Sequence, residues 1–545
     1  MFEVSHVLER TRIAFLFRCK EGYVNRIGEY GTIAFMPTLS SQQAPELVFG
    51  LVAPIGVDLD CVTDLLSQIL EEVSYKSMIF RITKLMKEIK IELPLESNKY
   101  IESYKQRIGY ANDIRRKYGG DAMAKLAISA IRTFRKKQKG YEYLGQIPIY
   151  NQAYIIRQIK RPEEIFLLRS VYGRQFILIS AYASEIWRRR RLENEERASQ
   201  GGIVDDDVIR ASVSELLSQD AKEIQDEHGQ NLRDAFPLGD VFIDASTKPK
   251  CESGLRRFIK LLFGNNEVTP THDEYGMYIA KSASLRSSDL SRQVGAAIFL
   301  ETGEIATLGC NEVPKSGGGT YWTDDPNDHR DFIEGYDPNE LRKNEILMDI
   351  IERLRVGHHL SSELLRLGEA TDIVNRLKLD KSAGSVNKSK IMDLIEFGRI
   401  IHAEMSAISD AARRGISVEN SRMYCTTFPC HICAKHIVAS GIKEVVYIEP
   451  YAKSYASILH SDSISVDPDI TDSRVVFKPF LGISPYRYRD LFEKGKRKYS
   501  GGAAQQWHEG KKRPMIEVYY SEYFRSEEMI VASLDGLDSN LPEQT

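Results

Sequence analysis

Long apolar runs are missing from this sequence. The longest uncharged apolar stretches, such as Leu47 to Val57, fall well short of the roughly 18–20 residues that a spanning helix needs. That excludes a helical membrane protein and predicts no membrane partner. The amino terminus carries Glu3 and Arg10, and Arg18 ends the short run Ile13 to Phe17 without a cleavage-like site, so no secretory signal is expected. Cysteine is scarce: seven in 545 residues, an odd and scattered set that excludes a disulfide framework and points to a reducing, cytoplasmic setting. Excess charge is absent too. Lys plus Arg number 74 and Asp plus Glu 77, a net charge of −3, which argues against a chain held mainly by nucleic-acid electrostatics. No repeat recurs at a period of 20–50 residues, which removes solenoids and propellers. What is present is ordinary globular composition, 42% hydrophobic, over a length that suits about three to four domain-sized units.

The apolar pattern divides the chain. Residues 1–44 read as an amino-terminal extension. From Pro45 a buried strand, Glu46 to Val52, runs into the loop Ala53-Pro-Ile-Gly-Val-Asp58 and a helical pattern through Leu65, Leu66, Ile69 and Leu70, the opening of an α/β unit. Further strands are expected at Arg174 to Tyr182 and Gly239 to Ile243, with the charged stretch Arg188 to Asp234 read as solvated helices and loops. This first unit is assigned residues 45–246. Thr247 to Gly254 breaks the pattern, a short helix follows, and a capping signal at Thr269 to Asp273 opens a second unit, assigned 265–500, with a long insertion at 312–398. Within it the pattern predicts a hairpin, Gln293 to Leu300 with Glu304 to Gly309. It also predicts helices at Arg399 to Arg413 and from Cys430, and strands near Arg422 to Thr427 and Glu444 to Ile448. Residues 501–545 read as a carboxy-terminal extension. Alternating strands and helices imply layered α/β sheets.

The chemistry concentrates in His402-Ala-Glu404 and Pro429-Cys430-His-Ile-Cys433. Cys430 and Cys433, three apart, share one face of a first helical turn, whose dipole favours thiolates, the form that binds metal. One His and two Cys make three ligands, whereas structural zinc normally has four, and a catalytic site leaves the fourth position to water. Glu404, two residues from His402, can reach that water without occupying the metal, and zinc lowers the pKa of bound water to roughly 7. The residues taken alone leave other readings open: a redox pair, half a structural zinc site completed by Cys425 or His431, or a satisfied core histidine at His402.

The pattern H-x-E with P-C-x-x-C is the signature of zinc nucleobase deaminases. With Ser288 to Gly295, Gly309-Cys-Asn-Glu-Val-Pro314 and Gly441 to Tyr447, the region from about Thr269 to Lys496 resembles the deoxycytidylate deaminase family of the cytidine-deaminase-like fold. The resemblance implies a carboxy-terminal α-β-α sandwich, zinc on His402, Cys430 and Cys433, and Glu404 as proton shuttle. Asn311 matches an asparagine that contacts the sugar hydroxyl; its other reading is a plain turn residue. Ser288 and Arg292 stand where they help to hold phosphate, and helix capping and surface solvation explain them equally well.

The whole chain is similar to the bacterial anti-phage dCTP deaminases, in which a P-loop kinase-like half precedes the deaminase. Against G-x-x-x-x-G-K-[ST], the loop has Ala53, Asp58, Leu59 and Asp60 at the four diagnostic positions, and none matches. Ala53, Gly56 and Asp58 therefore mark a degenerate nucleotide loop, unsuited to phosphoryl transfer. The run Arg188 to Arg191 reads as a solvated face, or as a contact for a regulatory nucleotide or an RNA. The function implied is deamination of deoxycytidine nucleotides, dCTP and dCMP, that drains dCTP from an infecting phage, in a homo-oligomer. A housekeeping dCMP deaminase, a polynucleotide deaminase and a nucleotide sensor with a structural metal are the alternatives.

Overall fold

The computed structural model describes residues 44–89, 91, 97–140, 147–201, 205–223, 226–380, 385–451, 453–466, 473–504, 513–516 and 520–533, with two short stretches at 18–19 and 22–23. Two six-stranded sheets organise the chain. The first contains β1 (Leu47–Val52), β2 (Lys76–Arg81), β3 (Gln152–Arg157), β4 (Phe176–Tyr182) and β5 (Val241–Asp244), all parallel, in the spatial order β2-β3-β1-β4-β5. β1 is buried along its whole length because both faces are covered. Leu47, Phe49 and Leu51 pack with α1 (Leu59–Glu72), while Val48 and Val52 face the layer of α2 (Tyr100–Tyr118), α3 (Ala122–Lys139) and α4 (Pro162–Tyr172).

Where solvated helices and loops are expected, the helices α5 (Glu185–Ser199) and α6 (Asp206–Ala221) are present but bury a small core of their own on Leu192, Ile209, Val213 and Leu216. The expected break at Thr247 is instead the start of α7 (Lys248–Leu262). Pro249 lies in the first turn, where its missing N–H costs nothing, and Gly254 lets the helix lie close on Ile243 of β5.

The second sheet runs β10-β11-β9-β8-β6-β7. Its strands are β6 (Gly295–Phe299), β7 (Ile305–Cys310), β8 (Arg422–Thr427), β9 (Glu444–Glu449), β10 (Ile464–Ser465) and β11 (Val475–Pro479). β6 and β7 form the expected antiparallel hairpin, and β8, β9 and β11 run parallel. Alternation along β8 sorts its neighbours. Tyr424 meets α8 (His272–Ser284) on one face, while Met423 and Cys425 meet α11 (Ala403–Arg414) and α12 (His431–Ala439) on the other. The insertion adds α9 (Pro338–Val356) and α10 (Ala370–Leu379), packed on each other through Leu347, Ile351, Ile373 and Val374. Its two ends meet where Glu312 and Ile401 exchange backbone hydrogen bonds at 3.3 and 3.2 Å, which keeps Ile401 extended and starts α11 four residues later than the apolar pattern predicts.

The two sheets share contacts. β12 (Gly482–Ile483), beyond β11 in sequence, joins the first sheet antiparallel to β5. Phe242 of β5 packs with Phe480, Met277 and Tyr424. Far along the chain, α13 (Tyr520–Ala532) returns to the first unit, where Glu527 and Glu46 flank the fully buried Arg135 of α3. Among the described residues no helix is long and apolar enough to cross a membrane.

Candidate active site

α11 and α12 lie side by side under the second sheet, and their first residues carry the chemistry. His402 is the N-cap of α11 and Cys430 the N-cap of α12, so both side chains leave from helix starts where unpaired amides favour negative charge. Nδ1 of His402 stands 3.3 Å from Sγ of Cys430 and 3.3 Å from Sγ of Cys433. A tetrahedral zinc with Zn–N of about 2.0 Å and Zn–S of about 2.3 Å separates such atoms by about 3.5 Å, so the three donors fit one ion. All three lie within 4.8 Å of one another, and among the described residues no other group of His, Cys, Asp or Glu converges in this way. Cys425 and His431 are not part of it.

Electrostatics agree with this geometry. The Cys430 thiol is pulled well below its ordinary value by the hydrogen bond from Cys433 and then by His402, against burial. Cys433 is pushed up by the same bond and by burial, so the pair places its first negative charge on Cys430. Burial works to lower His402, but the hydrogen bond and charge of Cys430 outweigh it and raise the ring to about 9. Glu404, 5% exposed, has its carboxyl raised by burial, an effect that His402 opposes. A raised, buried carboxyl beside a ligand set is suited to taking up and releasing a proton.

His402, Glu404 and Cys430 line a cavity of about 340 Å³, and Cys433 is fully buried beside them. His402, Glu404, Cys430, Thr427 and Tyr451 belong to the second sheet with its helices and loops, while Lys343, Asp393 and Ile395 come from the insertion. Nothing in the sequence pattern signals that wall. It exists because the Glu312–Ile401 pairing brings both ends of the insertion to the site. Asn311 lines the cavity with its amide mostly committed: Nδ2 donates to Asp289 Oδ2 at 2.9 Å and to the Arg292 carbonyl at 2.8 Å, and Oδ1 accepts from the Val294 amide at 2.7 Å. One lone pair of Oδ1 remains. Arg292 lines the cavity with its guanidinium over the Tyr451 ring at 5.2 Å. Ser288 faces away, donating from both its amide and its hydroxyl to Glu312 Oε2 at 2.9 and 2.8 Å.

The loop residues of the first unit lie elsewhere. Ala53, Gly56 and Asp58 line a separate cavity at the carboxyl ends of β1 and β3. Gly56 has φ +91°, and a Cβ there would stand 2.9 Å from Cβ of Arg188. The arginine run is largely engaged within the chain: Arg188 with the Ile55 and Ala183 carbonyls, Arg189 with Ser214 and Glu185, and Arg191 with Asp58 at 3.2 Å.

A family model described as the cytidine and deoxycytidylate deaminase zinc-binding region matches residues 270–449. The chain is 35% identical over 193 residues to the deoxycytidylate deaminase of Enterobacteria phage T2, covering 88% of that protein and 35% of this one. This chain belongs to the deoxycytidylate deaminase family. The family's phage T4 deoxycytidylate deaminase is 49% identical over 69 residues, 36% of its length and 12% of this chain. A crystal structure of dCMP deaminase from cyanophage S-TIM5, in apo form, matches 99% of its own chain and 39% of this one at 19% identity, with a TM-score of 0.20.

Proposed function

We propose that the chain is a zinc-dependent hydrolytic deaminase that converts deoxycytidine nucleotides, dCTP and also dCMP, to deoxyuridine nucleotides and ammonia. The observation that carries this reading is the convergence of His402, Cys430 and Cys433 on one ion-sized space, beside the buried Glu404, at the floor of a cavity. When bound, zinc supplies Lewis-acid activation of water at neutral pH. Glu404 then takes the proton of the attacking water and passes it to the cytosine ring nitrogen. The same carboxylate then takes the remaining proton from the hydroxyl added at C4 and delivers it to the departing amine, so water and cytosine become uracil and ammonia. Burial of Glu404 suits this cycle, because a raised carboxyl gives up its proton less readily to bulk water and holds it for the substrate. Oδ1 of Asn311 takes a sugar hydroxyl on its remaining lone pair. Arg292, which lines the cavity, supports a phosphate-bearing substrate, whereas Lys343 and Lys453 on the same wall are already paired with Glu340 and Asp393.

The proposal extends to dCTP depletion as an anti-phage defence, to an amino-terminal half with a degenerate P-loop that takes a regulatory nucleotide or an RNA, and to a cytoplasmic homo-oligomer. The relatives' names favour the monophosphate as a second reading. Incubation with dCTP, dCMP, CTP and single-stranded DNA, followed for ammonia and uracil product, separates these. Turnover of dCTP is expected. Turnover of dCMP alone replaces the defence reading with a housekeeping one, and product from the polynucleotide alone overturns both.

A further inference from the structure

The cavity of the amino-terminal half measures about 330 Å³ and lies at the carboxyl end of its sheet. In open α/β sheets ligands bind where neighbouring strands send their connections in opposite directions, as β1 does toward β2 and β4 toward β5. One wall is the loop Ala53 to Asp60, and its capacity for an anion is already used. Asp220 of α6, 2% exposed, accepts from the Ile55 amide at 2.6 Å and from Lys160 Nζ at 2.6 Å, and the same ammonium donates to the Ala53 carbonyl at 2.9 Å. A carboxylate of the chain itself thus holds the loop amide and lysine that a phosphate would meet.

The rest of the cavity has a different character. Met86, Ala111 and Met123 line it with buried apolar surface. Gln230, 8% exposed, also lines it, and its buried Oε1 has no hydrogen-bond partner among the described residues. An unpaired buried acceptor is costly, and a ligand N–H that pairs with it removes the cost. Arg107 lines the same cavity, half-buried over the Tyr104 ring at 5.1 Å, bonded to the Ser103 hydroxyl and to no carboxylate among the described residues. We propose that this cavity binds a nucleotide whose base carries an exocyclic amine, with the base against the methionine-lined wall, the amine donating to Gln230 Oε1 and the phosphate on Arg107. Glutamine amides read the amine edge of adenine in this manner elsewhere. Because Asp220 fills the loop, the site binds its nucleotide without transferring a phosphoryl group. This placement deepens, and rests on, the reading that the amino-terminal half takes a regulatory nucleotide.

Calorimetry on the full-length Glu404→Gln protein, which keeps the catalytic site from turning over, tests it with dAMP, dIMP and dCMP. One equivalent of dAMP per chain is expected, with dIMP, which has an oxo group in place of the amine, at least about tenfold weaker. dCMP is expected to show a second equivalent beyond the catalytic one. Gln230→Leu and Arg107→Ala each should weaken dAMP by about tenfold or more, and Gln230→Met serves if the leucine variant fails to fold. Equal binding of dAMP and dIMP, or binding that survives both substitutions, overturns the placement and leaves a regulatory nucleotide elsewhere in this half. Failure of dAMP to bind, with a single dCMP equivalent, overturns the placement and the regulatory reading together. Deamination by the wild-type chain is measured separately, so its failure would not be mistaken for either.

Discussion

Gly309 on β7 is where the fold and the chemistry are most tightly tied. A Cβ at this position would stand 2.0 Å from the Ala403 carbonyl oxygen and 2.6 Å from the Ala407 amide nitrogen, both backbone atoms of α11. Backbone cannot rotate aside as a side chain can, so to reach an ordinary 3.4 Å contact the strand and helix must part by about 1.4 Å. α11 carries His402 at its cap and Glu404 in its first turn. Gly309→Ala is therefore expected to cost about 1–3 kcal/mol of overpacking, and a misplacement of about 1 Å at the catalytic groups to lower kcat/KM by about 100-fold. Gly109→Ala is the control. That glycine lies inside α2 with nothing within 4 Å of its Cβ, so the change should be neutral or stabilise by up to about 1 kcal/mol. Thermal unfolding, zinc content and deamination are measured on both variants. Should Gly309→Ala keep its melting temperature within about 1 °C and its activity within about twofold, the close packing of α11 on β7 is not what positions the site.

Glu404→Gln should retain zinc while activity falls by about 10²–10⁴-fold, and Cys430→Ser should lose both; metal analysis beside the deaminase assay checks the split. Dialysis against a chelator should abolish activity, with recovery on adding zinc. Arg135→Met leaves Glu46 and Glu527 buried without their shared cation and should destabilise by about 3–5 kcal/mol, and an unchanged thermal transition would refute a role for that ion pair in docking α13. Burial, with Arg497 nearby, lowers the Lys494 ammonium to about 8. The folded state therefore binds this proton less tightly than the unfolded chain, so the lysine's contribution to stability rises with pH from about 8 to about 10.5. At pH 8 an amine acylating reagent should modify Lys494 ahead of the other lysines, as peptide mapping would show.

The convergence of His402, Cys430 and Cys433 was legible in sequence because these residues lie at the first turns of two helices, where local spacing and helix-end electrostatics specify orientation almost unaided. The hairpin of β6 and β7 and the strands β1, β8 and β9 were legible because alternation and unbroken apolar runs are local signals. What was not legible depends on distant partners. Pro249 looked like a break because its harmlessness depends on standing in a first turn. The arginine run looked solvated because the Ile55 carbonyl that meets Arg188 and the Asp58 carboxylate that meets Arg191 lie far away in sequence. Nothing local announces that Asp220 closes a loop 165 residues earlier, or that Lys343 of the insertion lines the cavity of His402 and Glu404.

The two-residue strand β12 has a practical consequence. Gly482 and Ile483 hydrogen-bond to the edge of β5, and the Ile483 amide donates to Glu274 Oε1 at 3.0 Å, a carboxyl that also takes Arg257 of α7. α13 then carries the chain back to its beginning. The polypeptide is buckled twice, so a gene cut near residue 265 would yield one product with a bare sheet edge and another with a stranded acidic side chain. Each fragment alone is expected to be insoluble, and whatever strains one lobe has a covalently short, hydrogen-bonded route into the other.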